Sequence, residues 1–150
     1  MKGHHHLRKG RRSLPNQIYH VSTATFGWLP LFNDLRCGRT VVDCLRHEHD
    51  SWHVESLAFV IMPDHLHWLF SLSGSRSLSD CIRNVKSFSA RRINNELGIK
   101  TRIWQTGYYD RAIRREDDLE GVARYIVANP LRAGIVRSVR EYALWDAKWL

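Results

Sequence analysis

Three segments in the first half of the chain have the residue pattern of β-strands. Gln17–Phe26 is rich in β-branched and aromatic residues, which favour strands. Trp52–Met62 contains the unbroken apolar run LAFVIM, which is typical of a strand buried on both faces. Pro63 and Asp64 then form a tight turn into a third strand over His65–Leu72.

Two further segments have the three- and four-residue spacing of helices with one buried stripe. The first lies between the first two predicted strands, and its apolar or small positions are Leu31, Leu35, Gly38, Val42 and Leu45. The second begins at a cap residue, Ser77 or Ser79, and ends at Gly98. Its apolar positions are Leu78, Ile82, Val85, Phe88 or Ser89, and Ile93.

The last third of the chain predicts one more strand and one more helix. Arg102–Ile113 is expected to form a fourth, more irregular strand. Residues 116–118 are acidic, which favours a helix N-terminus, and Asn129-Pro130 is predicted to end that helix. The order β-α-β-β-α-β with a following helix predicts an α+β fold, a ferredoxin-like antiparallel sheet with helices packed on it.

Size and composition restrict the class of protein. The 150 residues fit one domain, and 43% hydrophobic with 25% charged residues exclude collagen-like and wholly disordered chains. The longest apolar run, Leu57–Met62, is far shorter than the roughly 20 residues of a membrane helix. We therefore expect a cytoplasmic protein with no membrane partner and no signal peptide. The predicted organisation is a flexible basic arm, residues 1–15, followed by a single domain, residues 16–150.

The positive charge of the chain, +8 overall, is unevenly distributed. No acidic residue occurs before Asp34, and the second predicted helix carries four cations, Arg83, Lys86, Arg91 and Arg92. This distribution favours a polyanion partner, of which nucleic acid is the commonest, so these four residues are predicted DNA contacts. The alternative is a basic surface that is only solvated.

The cysteine content argues against a thiolate metal site. Three cysteines are an odd number, and none has a CxxC spacing: Cys37, Cys44 and Cys81. We therefore expect reduced thiols in the core.

His65 and His67 share one face of the third predicted strand, because alternate side chains of a strand point to the same side. The residues between and after them point the other way, into a core: Leu66, Trp68, Phe70 and Leu72. Two histidines at this spacing can converge on one cation, and ligand softness alone permits iron, zinc, copper or nickel. Spacing alone leaves open whether the pair binds metal or is structural.

The last predicted helix places a tyrosine away from its apolar stripe, which is formed by Leu119, Val122, Ala123, Ile126 and Val127. At about 100° per residue, Tyr125 lies roughly 130° from the centre of that stripe. Asn129 and Gly121 share this outer face, and Gly121 is expected to leave space beside the ring. The alternative is an exposed tyrosine without a role.

Four segments together resemble the REP-associated tyrosine transposases, relatives of the smallest bacterial insertion-sequence transposases within the HUH single-strand nucleases. The segments are Met62–Leu69, Val85–Ser89, Ile103–Gln105 and Tyr125–Val136. A His-hydrophobic-His pattern alone is a weak signal, whereas its combination with the Tyr-to-Asn-Pro segment at this distance is specific. In one departure from the family pattern, Asp64 stands where Asn is expected.

The resemblance implies a metal-dependent single-stranded DNA endonuclease and strand transferase that acts on hairpin-forming repeats through a 5′-phosphotyrosine. Tyr125 matches the nucleophile of the family. His65 and His67 match the pair that binds a divalent ion, Mg²⁺ or Mn²⁺, and Asn129 matches the polar residue that completes the metal site. The implied partner is single-stranded or hairpin DNA of a bacterial nucleoid, bound by a monomer or a homodimer.

Two other functions remain open at this point. A protein that kept the fold and lost turnover would be a non-catalytic, sequence-specific DNA-binding protein. A small metallohydrolase of a soluble substrate is the second, although no carboxylate base is evident near the histidines. Trp104, Tyr108 and Tyr109 are candidates for stacking on unpaired bases, with core packing as the alternative.

Overall fold

The computed structural model describes residues 16–114 and 117–148, so the predicted basic arm, residues 1–15, lies outside the described residues. The strands of this part of the chain are β1 Ile18–Ala24, β2 Val54–Met62, β3 His65–Leu72, β4 Tyr109–Ile113 and β5 Trp145–Ala147. Its α-helices are α1 Leu35–Asp50, α2 Leu78–Leu97, α3 Leu119–Val127 and α4 Asn129–Arg132. Short 3₁₀ turns lie at Phe26–Trp28, Leu31–Asn33 and Val139–Glu141.

The strands form one antiparallel sheet in the order β4-β1-β3-β2-β5. The first four strands in this order have the ferredoxin-like arrangement, and β5 extends the sheet beside β2. The predicted α+β fold is therefore confirmed. Because β3 lies between β1 and β2, its side chains are held in register from both sides.

Helices cover both faces of the sheet. On one face, α1 and α2 pack on the strand residues predicted to be core, including the fully buried Trp68. On the other face, α3 buries Ile126 in a cluster with Leu69. His65 and His67 alternate with the first set, so the histidine pair and α3 lie on the same side of the sheet.

The buried face of α1 differs from the predicted stripe. The helix begins at Leu35, after the carboxylate of Asp34 accepts from the backbone N–H of Arg36 at 2.9 Å. Leu35 itself is 46% exposed, and the buried positions are Cys37, Gly38, Thr40, Val41, Cys44, Leu45 and Glu48. Gly38 and Leu45 are therefore buried as predicted, and Leu31 and Val42 pack against the core, whereas Leu35 departs from the predicted stripe. Leu31 belongs to a separate 3₁₀ turn rather than to α1.

Helix α2 has the predicted ends. The hydroxyl of Ser77 accepts from the backbone N–H of Asp80 at 3.1 Å, and Gly98 closes the helix in the left-handed conformation at φ 65°. The structure also decides between two predicted core positions, because Ser89 is buried whereas Phe88 is 45% exposed.

The predicted fourth strand is too long. Only Tyr109–Ile113 pairs with β1, and Gly107 interrupts the segment before it at φ 82°. Upstream, Trp104 makes an isolated bridge with Thr25, and its indole N–H donates to the hydroxyl of Ser89 at 2.9 Å. This segment is therefore a loop that is fixed by buried side chains rather than by a strand ladder.

Helix α3 ends at Val127, directly before Asn129-Pro130, as predicted. Asn129 then begins the short helix α4. Pro130 lies in the first turn of α4, where its missing N–H costs no helical hydrogen bond. Within the described ranges, no helix combines the length and apolar content that crossing a membrane requires.

Candidate active site on the α3 face of the sheet

His65 and His67 lie side by side at the start of β3. Opposite His65 are Ala24 of β1 and Met62 of β2, and opposite His67 are Ser22 and Val60. The two imidazole rings have centroids 4.9 Å apart and cross at 79°. The central position of β3 therefore holds the pair in a defined mutual geometry, on the face where the sequence predicted it.

Each of these histidines has its Nδ1 atom engaged. Nδ1 of His65 donates to the carboxylate of Asp64 at 2.7 Å. Nδ1 of His67 lies 3.1 Å from Nε2 of His20, a residue of β1 on the same face. A proton on Nδ1 of each ring leaves both Nε2 atoms with a lone pair, which is the usual arrangement of metal-binding histidines. Asp64, a departure from the family pattern, thus orients the first histidine.

His20 is a site residue that the sequence analysis missed. Burial and the positive charge of Arg111 lower the pKa of His20 to about 4. Burial and the neighbouring His20, His65 and Arg132 lower the pKa of His67 to about 3. Both rings are therefore neutral near pH 7, as ligation of a metal requires. The signal that would have found His20 is the pairing of β1 with β3, which residue patterns alone do not supply.

Tyr125 projects from α3 into solvent. The structure describes all five tyrosines of the chain. Tyr125 is 64% exposed, whereas the other four are buried or half-buried. It lines a cleft of about 500 Å³ together with His20, Arg111 and Asp118. The cleft therefore places the predicted nucleophile and the partner of His67 on one surface.

Arg132 connects the tyrosine to the histidine pair. Its guanidinium carbon lies 3.6 Å from the centroid of the Tyr125 ring, and its charge contributes to the lowered pKa of His67. The two residues are seven positions apart, a spacing that returns to nearly the same face after two helical turns. Arg132 lies in the segment that carried the family resemblance but was not assigned a role from the sequence.

Gly121 lines the same cleft as Tyr125, in agreement with the expected space beside the ring. A Cβ atom at this position would collide with the carboxylate of Asp118, which caps α3 by accepting from the N–H of Gly121 at 3.0 Å. The glycine is therefore also required by the cap of α3.

Asn129 is half-buried at the first position of α4. Its amide nitrogen donates to the carbonyl of Ile126 at 2.8 Å, which fixes the side chain and leaves the amide oxygen as the possible ligand. Among the described residues, no group of three or more His, Cys, Asp or Glu side chains is arranged to hold a metal ion. The set His65, His67 and Asn129 therefore stays a prediction.

The predicted DNA contacts on α2 lie on the opposite side of the sheet from the histidines. Two of them have acidic partners, since Arg83 pairs with Asp80 and Arg92 lies 3.3 Å from Asp43. The ammonium of Lys86 donates to the carbonyls of Gln105 and Gly107 at 2.8 and 2.7 Å, and Arg91 lies over the ring of Phe88. Their role in binding DNA stays a prediction.

The aromatic residues considered for base stacking are mostly core. Trp104 is 5% exposed and Tyr108 is 3% exposed, whereas Tyr109 is half-buried on β4. Trp104 and Tyr108 are therefore not accessible to an unpaired base.

Comparison with known proteins identifies the family. The family model described as "Transposase IS200 like" matches residues 14–129, which include His65, His67, Tyr125 and Asn129. The chain belongs to this family. The resemblance that the sequence motifs carried is confirmed.

Individual relatives agree with this membership. A REP-associated tyrosine transposase of Escherichia coli strain K12 is 30% identical over 86 residues, which are 57% of this chain and 49% of that protein. A Haemophilus influenzae relative is 28% identical over 98 residues, which are 59% of this chain and 56% of that protein. These matches span about half the length of the curated relatives. A solved REP-associated tyrosine transposase, bound to a REP hairpin, has the same fold with a TM-score of 0.73 at 20% identity, covering 90% of this chain and 79% of that one.

Proposed function

We propose that this protein is a single-stranded DNA endonuclease and strand transferase that acts on hairpin-forming repeats. Family membership supports a transposase reaction, and the relatives that match are named for REP sequences. The observation that carries the proposal furthest is the position of Tyr125, whose exposed ring contacts Arg132 on the side of the sheet that carries His65 and His67.

Tyr125 is the proposed nucleophile. Its phenol oxygen attacks the scissile phosphorus, the bond from phosphorus to the 3′ oxygen breaks, and the strand leaves with a free 3′-OH. The proton lost by the phenol is balanced by the one that the 3′ oxygen gains. The product is a 5′-phosphotyrosine, which keeps the energy of the broken ester so that a 3′-OH can rejoin it without ATP.

Arg132 is proposed to assist this attack. A guanidinium fixed over the phenol lowers the energy of the phenolate that forms as the proton leaves. The same cation lies near the histidine pair, so it also neutralises part of the charge that develops on the phosphate. Arg111 lines the same cleft, where its guanidinium lies 3.7 Å from the carboxylate of Asp117.

The residues present fit a divalent metal ion. The Nε2 atoms of His65 and His67 and the amide oxygen of Asn129 supply three ligands. A bound Mg²⁺ or Mn²⁺ would polarise the scissile phosphate and hold it in line with the phenol. The protein's part is to orient the two rings, His65 through Asp64 and His67 through His20.

The test uses a hairpin oligonucleotide with an unpaired 5′ extension, labelled and incubated with Mn²⁺. We expect a protein–DNA adduct on a denaturing gel, with loss of adduct and cleavage in Tyr125→Phe. Tyr109→Phe is the matched control, because it removes a hydroxyl from a half-buried tyrosine of the same domain. Tight binding without any adduct would instead identify a non-catalytic DNA-binding protein.

A further inference from the structure

An exposed apolar cluster lies at the end of β1, outside the residues used above. Three side chains of one short turn are close to half exposed: Phe26 at 46%, Trp28 at 45% and Leu29 at 50%. Neither core cluster includes them. We call these three residues the aromatic turn.

The backbone of the aromatic turn is in a conformation that few side chains favour. Gly27 and Trp28 both have positive φ, 67° and 56°. A bulky non-glycine residue in the left-handed region is strained and persists only where its surroundings impose it. The indole of Trp28 is 45% exposed, so a large part of its surface is available to a ligand.

The aromatic turn is anchored to the residue that orients His65. The backbone N–H of Thr25 donates to the carbonyl of Asp64 at 2.9 Å, and the Thr25 hydroxyl donates to the carbonyl of Leu29 at 2.8 Å. The N–H of Phe26 donates to the carbonyl of Ile103 at 2.8 Å. Because these bonds lie at both ends of the turn, the backbone that carries the exposed rings is fixed.

Trp28 is also continuous with the candidate active site. Its ring meets the ring of His65 edge-on, with centroids 6.1 Å apart. A group lying on the indole face is therefore a direct neighbour of the histidine pair.

A positive charge is fixed over the second ring. The guanidinium carbon of Arg102 lies 4.9 Å from the centroid of Phe26. Its Nε donates to the carbonyl of Trp104 at 3.1 Å, and its terminal nitrogen donates to the hydroxyl of Thr106. A cation held against an exposed ring offers a phosphate contact beside an apolar face.

We propose that the aromatic turn is a stacking platform for an unpaired nucleobase next to the scissile phosphate. Flat aromatic faces stack on any base, and an adjacent arginine takes the phosphate of the same nucleotide. The proposal rests on the function proposed above, which brings a DNA strand to His65. The proposed base-stacking residues are therefore the exposed Phe26 and Trp28 rather than the buried Trp104 and Tyr108.

The test measures binding to a hairpin with an unpaired 5′ extension that carries 2-aminopurine at successive unpaired positions, in EDTA so that no metal contributes. Trp28→Ala and Phe26→Leu should each weaken binding at least about fivefold, the lower end of the loss of one stacked base. The quenching of 2-aminopurine at one position should disappear with Trp28→Ala. A hairpin without the extension should bind all variants alike.

Trp52→Ala is the matched control, because Trp52 is also an exposed tryptophan at positive φ, 83% exposed with φ 63°. The affinity of the Trp52→Ala variant for the extended hairpin should equal that of the unsubstituted protein. Phe26→Leu separates stacking from any disturbance of His65, since the contact with that ring belongs to Trp28.

Three results would overturn the platform: unchanged affinity in both variants, an equal loss on the hairpin without extension, or a change of oligomeric state in gel filtration. The last would make the aromatic turn an interface between copies of the chain. Failure of the proposed function is separate, because it appears as an absent Tyr125 adduct while Trp28-dependent quenching persists.

Discussion

The guanidinium of Arg132 lies 3.6 Å from the centre of the Tyr125 ring. The two residues belong to different helices, which are separated by Ala128. The charge of the same guanidinium contributes to the lowered pKa of His67. This contact relates the helix that carries the proposed nucleophile to the strand that carries the proposed metal ligands.

Replacing Arg132 is expected to slow cleavage more than it weakens binding. Arg132→Ala should lower the single-turnover cleavage rate by about 100-fold, because a charge that stabilises the transition state is lost. Arg132→Lys should recover part of the rate, since it keeps the charge but not the planar stack. Arg124→Ala, on the same exposed helix surface, serves as the control. Equal rates for Arg132→Ala and Arg124→Ala would remove Arg132 from the site.

His20 is expected to act through His67. His20→Ala removes the partner of the His67 Nδ1 atom and should weaken Mn²⁺ affinity by about 10- to 100-fold in calorimetric titration. His47→Ala, an exposed histidine of α1, should leave the affinity unchanged. Unchanged Mn²⁺ affinity in His20→Ala would mean that His67 needs no orienting partner or is not a ligand.

The basic residues of α2 are expected to differ in their effect on DNA binding. Arg91→Ala should reduce the slope of log affinity against log salt by about 0.7, the value for one phosphate of a single strand. Lys86→Ala should instead lower the melting temperature, because its ammonium holds the carbonyls of Gln105 and Gly107. A smaller slope for Lys86→Ala, with normal melting, would show that the ammonium leaves these carbonyls for DNA.

The three cysteines are buried free thiols, which confirms the expectation from their spacing. Burial, followed by the charge of Glu48, raises the pKa of Cys81 to about 12. A raised pKa keeps the thiol protonated, so its thiolate fraction at pH 8 is minimal. We expect no reaction with a disulfide reagent at pH 8 until denaturant unfolds the protein. Rapid labelling of the folded protein would contradict this burial.

Most of the fold could be predicted from local patterns. The alternation in β3 placed Trp68 in the core and the histidines opposite, and the stripe of α3 left Tyr125 outside, because both depend only on the periodicity of one element. The start of α1 could not be predicted, since the 3₁₀ turn at Leu31–Asn33 before it has no clear pattern. Failure of this kind is confined to element boundaries.

The missed site residues share one physical cause. His20 reaches His67 through the register of β1 against β3, and Arg132 reaches Tyr125 across the junction of α3 and α4. Trp28 reaches His65 because Asp64 anchors the turn that carries it. Each contact joins elements whose relative placement is set by tertiary packing, which a single-sequence pattern does not contain.

The most direct test of the account is the identity of the residue that becomes covalently attached to DNA. The adduct formed with a hairpin oligonucleotide is trapped, digested to peptides and analysed by mass spectrometry. We predict that the nucleotide is attached to Tyr125 and that Tyr125→Phe, with unchanged melting temperature and DNA affinity, forms no adduct. A nucleotide attached to Tyr108, Tyr109 or Tyr142, or full cleavage by Tyr125→Phe, would contradict it.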